Sequence, residues 1–190
     1  MPLASSLLAV SKQIHSEGLD ILYGNEFIFT DSFALYAFMI NLGPARAKNL
    51  KTIRLLGWGD GRAMKAYNHS CFAVLVWATY ITAFHIDAYM YSVKSGSQQL
   101  YRDAFPWLEA IGSARGKADA AVDVLHLGEA VLPDRYYHGV NGITQGPSHE
   151  DQVKEFKAAL SKLLDSQQNR VMAKPVKKRK LNKEVVANEL

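Results

Sequence analysis

Histidine and aspartate two residues apart, in "HID" at residues 85–87, form the spacing in this chain that most suggests chemistry. Alternate residues of an extended strand share a face, so His85 and Asp87 would stand side by side as an acid/base pair or half of a metal site. His126, in a later apolar segment, could join them from a neighbouring strand. The other histidines, at 15, 69, 138 and 149, are scattered. No serine in a nucleophile elbow, no H-E-x-x-H and no third ligand at a telling spacing accompanies the group. Solvent-facing polar residues on a half-exposed sheet therefore explain the pattern more economically than a small hydrolase or transferase using His85 and Asp87. No residue is assigned a catalytic or metal-binding role, and no motif implies a cofactor.

The single cysteine, Cys71, rules out an internal disulfide framework and a cysteine-based zinc site. Its apolar flanks, "SCFAVLVWA", mark it as a buried small hydrophobe rather than a nucleophile. "GWGDG" at 57–61 follows a strand and precedes a helix, as a phosphate loop would. It lacks the Gly-Lys-Ser/Thr ending, its glycine spacing does not suit a dinucleotide fingerprint, and Asp60 would repel a phosphate. It reads as a turn.

The sharpest motif lies in the tail. "KPVKKRKL" at 174–181 sets Lys174 and four consecutive basic residues, Lys177, Lys178, Arg179 and Lys180, around a proline that keeps the segment extended. Such a segment fits the acidic groove of an import receptor, which predicts a nuclear, or nuclear and cytoplasmic, protein. Charge is distributed accordingly. Residues 166–190 hold seven Lys or Arg against two Glu, whereas residues 1–165 hold fifteen against sixteen Asp or Glu. The near-neutral body argues against a broad nucleic-acid-binding face, so any such contact would be confined to the tail. A second candidate surface is "DRYYHG" at 134–139, where Arg135, Tyr136, Tyr137 and His138 give a loop composition common at protein contacts.

The elements that must position these residues follow from periodicity. At 190 residues and 48% hydrophobic content, the chain can bury one core, read as a single α/β domain over 1–165 with a disordered basic tail over 166–190. Its N-terminus has no basic region ahead of its apolar stretch, so no signal peptide is expected, and the most apolar window, 71–84, is too short to span a bilayer. Leu7, Leu8, Val10, Ile14, Leu19, Ile21 and Leu22 recur at near-helical spacing up to a turn at Gly24-Asn25. Alternation then predicts strands at 26–30, 50–58, 81–89 and 121–128. Between them lie helices at 33–43, capped by Asp31 or Ser32 and ended by Gly43-Pro44, at about 62–80, interrupted by "YNHS", and at 98–116, kinked or restarted at Pro106. Residues 129–148 read as a surface loop and 149–167 as a final amphipathic helix. Short parallel strands alternating with helices satisfy two architectures, an open doubly wound sheet and an irregular leucine-rich-repeat-like arc, with the arc favoured by its short strands.

"LLAVSKQIHSEGLDILYGNEFIFTD", residues 7–31, resembles a recurrent segment of a group of fungal proteins related to F-box-like domains, and the resemblance continues to residue 58. Ser11 and Gly18 stand where that group usually has cysteine and alanine. Its members commonly begin with F-box-like helices, and the chain starts after the place where those would sit. The resemblance implies a recognition or scaffold domain and brings no catalytic residues. A non-enzymatic protein-interaction module is therefore the leading expectation, with a substrate-recognition subunit of a ubiquitin ligase as the alternative. In residues 12–31, Ile14, Leu19, Leu22, Tyr23, Phe27 and Phe29 are expected to form the first helix–strand packing unit, with Phe27 and Leu22 essential to the fold.

Overall fold

The alternating segments pair as the pattern requires. The computed structural model describes residues 18, 19, 21–58, 62–90, 92–129, 131, 136–139 and 142–173. Strands β1 (Glu26–Phe29), β2 (Thr52–Leu55), β3 (Ala83–Ile86) and β4 (Leu125–Leu127) form one parallel sheet in the order β1-β2-β3-β4. Helices α1 (Ser32–Leu42), α2 (Pro44–Ala47), α3 (Arg62–Leu75), α4 (Val93–Arg115) and α5 (Ala120–Asp123) occupy the crossovers, and α6 (His149–Ala173) follows a two-stranded hairpin.

Register makes the sheet two-faced. One row aligns Phe27, Ile53, Phe84 and Leu125, and another aligns Phe29, Leu55, Ile86 and Leu127. All but Phe27 are buried. The alternate row, Ile28, Arg54, His85 and His126, points the other way and is exposed or half-exposed. The helices follow the strand order, with α1 against α3, α3 against α4 and α4 against α6. A sheet whose strand order never reverses and whose buried rows all face one helical layer is singly wound, the arrangement of the arc rather than of the doubly wound sheet. Among the described strands the order has no reversal of the kind that makes a switch point.

Three rings join sheet to helices: Phe84 of β3 lies 4.8 Å from Trp107 of α4 and 5.9 Å from Phe72 of α3, and these two lie 5.7 Å apart. All three are fully buried. Cys71 is also fully buried beside them in sequence, as its flanks predict, and burial pushes its thiol pKa up.

Local chemistry fixes the element ends. Asp31, extended at φ −157°, accepts a hydrogen bond from the Ala34 amide and caps α1. Ser32 instead turns inward and donates to Asn68 Oδ1 at 2.6 Å. Gly43, at φ 73°, ends α1 in a backbone region that disfavours side chains. "YNHS" does not interrupt α3, because Asn68 is drawn into the helix layer by Ser32 and donates to Asp103 of α4 at 3.3 Å. Helix α3 ends at Leu75 rather than near 80. Helix α4 starts at Val93, earlier than expected, on the Ser92 cap, and passes through Pro106 without restarting. Pro106 forgoes only the bond to the Arg102 carbonyl, one turn earlier.

Four further expectations are corrected. Residues 120–123 are helical, so β4 begins at Leu125 rather than 121. Part of the expected 129–148 loop is a hairpin, β5 (Tyr136–Gly139) antiparallel to β6 (Gly142–Gln145) and closed by the pair Gly139↔Gly142. The turn-forming stretch "GVNG" between "YYH" and "ITQ" was its sequence signal. Helix α6 runs to Ala173, past residue 167, since "QNRVMA" contains no helix breaker. In the first packing unit Tyr23 and Phe29 are buried, but Leu22 and Phe27 are only partly so, and Ile21 is exposed because its neighbour Leu22 takes the inward direction. Ile14 lies outside the described residues.

The centre of the fold is therefore the ring triple, not Phe27. Phe84→Ala is expected to cost about 3–5 kcal/mol of stability, and the half-buried Phe27→Ala less, as measured by urea unfolding. A larger loss at Phe27 would contradict this packing.

Candidate functional site

The parity that buries one row of the sheet gathers the polar side chains on the other face. Glu26 on β1, Arg54 on β2, Asp87 just after β3 and the histidines on β3 and β4 all point outward. Arg54 is the hub: its Nε donates to Glu26 Oε1 at 2.9 Å and its Nη1 donates to Asp87 Oδ2 at 2.8 Å. The bond to Asp87 is foremost in holding the guanidinium firmly charged, helped by Glu26 and opposed by partial burial.

The other Asp87 oxygen leans over Gly128, where a Cβ would come within 2.3 Å of Oδ1. Glycine at 128 therefore leaves the carboxylate room to reach Arg54. Gly57 has a comparable role at the next strand junction, where a Cβ would meet the Thr30 carbonyl oxygen at 2.4 Å. Of "GWGDG", the described part, Gly57 and Trp58, is thus a close strand-end turn with a buried indole.

His85 and His126 are direct register partners, and their rings stack 4.8 Å apart at 21°. His85 Nε2 stands 3.9 Å from Glu26 Oε1. His126 is held below its ordinary pKa, mainly by partial burial and then by the electrostatic influence of His85, Lys157 and Arg54. Lys157, on α6, is itself lowered by burial.

The structure brings His85, Asp87 and His126 onto one face, as their spacing implies, but not as an acid/base unit. Asp87 is committed to Arg54, and the carboxylate beside His85 is Glu26. Among the described residues no group of three or more His, Cys, Asp or Glu is placed to hold a metal ion. Tyr136, Tyr137 and His138 lie on β5. Arg135 and the import motif, Lys174, Lys177, Lys178, Arg179 and Lys180, lie outside the described residues.

Reading the strands one at a time missed Glu26, Arg54 and Gly128. Aligning their outward positions side by side would have exposed the Glu26–Arg54–Asp87 chain, whereas Lys157 carries no sequence signal because a helix far along the chain supplies it.

A second polar cluster joins the helices. Asp103 receives the Asn68 amide, and burial raises its pKa against the opposing effects of Asn68, Gln99 and Trp58. Trp58 Nε1, also buried, is among the groups that favour the Asp103 carboxylate. With Ser32 this cluster ties α1, α3 and α4 together.

Exposed apolar side chains border the charged row: Ile28 is 57% and Leu56 45% exposed. Among the described residues no helix is long and apolar enough to cross a membrane. Compared with known protein families, curated proteins and solved structures, the chain matches none.

Because folding lowers the His126 pKa, the unfolded chain binds more protons from just below the ordinary histidine value of about 6.5 downward. Stability contributed by neutral His126 is thus present above that pH and lost as pH falls through it. In urea unfolding, His126→Gln is expected to flatten the decline of stability between about pH 7 and about pH 5.5 relative to the unaltered protein. An unchanged slope would contradict the assignment.

Proposed function

We propose that this chain is a non-enzymatic protein-recognition module whose contact surface is the open face of the parallel sheet. The observation that carries the reading is the one-sided burial of the sheet: Ile28, Arg54, His85 and His126 form an outward row that no described element covers, fixed on strands rather than on loops. Exposed Ile28 and Leu56 supply apolar contact, and the Arg54 hub holds its charged neighbours in place before a partner arrives. Commitment of Asp87 to Arg54 weighs against a hydrolase or transferase built on His85 and Asp87. The resemblance of residues 7–58 to F-box-like-related proteins agrees with a recognition role, including that of a ligase substrate receptor. The basic segment 174–180 supports delivery to the nucleus by an import receptor.

Affinity purification from the native host, with Ile28→Glu and Leu56→Glu combined, tests the surface. A partner held by the unaltered chain is expected to be lost by the double variant, which keeps its fold because both side chains face solvent. Retention of every partner would contradict the reading. Deleting residues 174–183 is expected to shift a fluorescent fusion from nucleus to cytoplasm while the body's partner is kept. Unchanged nuclear accumulation would remove the import motif's role.

A further inference from the structure

The helical layer is divided in its charge, and the division marks a second contact surface on the side opposite the open sheet face. Lys94 and Glu109 on α4 and Lys154 and Glu155 on α6 are exposed, the ordinary pattern for helices that cover a sheet. The half built from α1 and α3 is different. No Asp, Glu, Lys or Arg occurs from residue 32 to residue 45 or from residue 66 to residue 86. Helix α1, "SFALYAFMINL", is therefore uncharged around its whole circumference, although its fully buried apolar side chains, Leu35 and Met39, lie on one side.

On the other side stand Phe33, 51% exposed, and Ile40, 48% exposed, two helical turns apart with the small Ala37 between them. Tyr67 of α3, also exposed, sets its ring edge-on to Phe33 at 4.9 Å. As crossovers of one parallel sheet, α1 and α3 run in the same direction, and the Ser32–Asn68 hydrogen bond fixes their level. Two turns on from the Phe33–Tyr67 pair, Ile40 and the partly buried Val74 thus continue the apolar strip. A rigid, uncharged strip of this kind on an otherwise charged helical layer is the mark of a contact surface.

We propose that this face joins two copies of the chain, α1 of one lying antiparallel to α1 of the other across a two-fold axis at Ala37. Spacing favours this occupant. Phe33 lies four residues before Ala37 and Ile40 three after it. Reversing one helix against another therefore sets each Phe33 over the other copy's Ile40 and brings the two small Ala37 side chains together at the centre, so one patch supplies both halves of the contact. Charge favours it as well. Each copy brings a strip with no ion to desolvate and none to repel its twin, whereas a charged partner would find nothing there to pair with.

The pair would carry its two sheet faces on the outside, pointing away from the axis. Two recognition faces on one particle strengthen the grip on a repeated or paired partner by raising its effective concentration at the second face. The inference goes beyond the recognition reading and does not depend on it.

Sedimentation of the full chain over a wide range of concentration tests the proposal. The mass is expected to rise with concentration toward twice the 21.1 kDa of one chain. Phe33→Glu combined with Ile40→Glu is expected to hold it at a single chain, with an unchanged circular-dichroism spectrum because both side chains face solvent. Ala37→Cys, on the axis, is expected to give a disulfide-linked dimer on air oxidation. Glu109→Cys, on the charged half, and the unaltered chain, whose Cys71 is buried, are expected to give none. A chain that stays monomeric overturns the proposal. Shielding of the Phe33 and Tyr67 ring signals from a soluble spin probe in that monomer would give the face to another segment of the same chain, and their exposure would give it to a different protein. A dimer that survives the Phe33/Ile40 double substitution, or that cross-links equally in Ala37→Cys and Glu109→Cys, overturns it too. The Ile28/Leu56 double variant of the sheet face is expected to dimerise as the unaltered chain does, so failure of the recognition reading and failure of self-association are separate results.

Discussion

The contact of Phe84 with Phe72 and Trp107 is the packing on which the rest depends. Phe84 sits in an inner strand, and the two rings it meets belong to successive helices, so the triple pins the middle of the sheet to the middle of the helical layer. Each strand is only three or four residues long and contributes at most two inward side chains. Such strands cannot form a stable sheet through backbone pairing alone. Stability comes from burying their inward rows in the core that the helical layer completes, which leaves the outward row to be chosen for other properties.

That outward row carries a charge arrangement that would be costly to assemble on flexible loops. Arg54 stands between two acids from the neighbouring strands, and Gly128 clears the space in which Asp87 lies. A guanidinium with two oxygen partners has little rotamer freedom left to lose on binding. The stacked rings of His85 and His126 lie beside it on the same face. The Arg54 hub and the stacked histidines thus share one origin in the fold, the outward parity of four short strands.

Much of this was legible in the sequence because period-two alternation is strong in segments such as "AFHI" and "TIRL" and encodes which face each residue takes. The co-facial placement of His85 and Asp87, the neighbouring position of His126 and the burial of Cys71 all follow from it. The partner of Asp87 did not, because Arg54 lies more than thirty residues away and only register brings them together. The continuity of α3 through Asn68 was hidden for the same reason: its hydrogen bonds run to Ser32 and Asp103, residues distant in sequence. Phe27 looked central because it is aromatic and inward-facing. It belongs to an edge strand, however, where a half-exposed ring gains less from packing than the enclosed Phe84.

The account stands or falls on whether the outward face is open in solution. Histidine-selective carbethoxylation of the native full-length protein at neutral pH, read by mass spectrometry, tests this directly, with exposed His69 on α3 as the internal reference. The account predicts that His85 and His126 are modified along with His69 in the free protein. Protection of His85 and His126 while His69 reacts would mean that the face is covered, and would contradict the central claim.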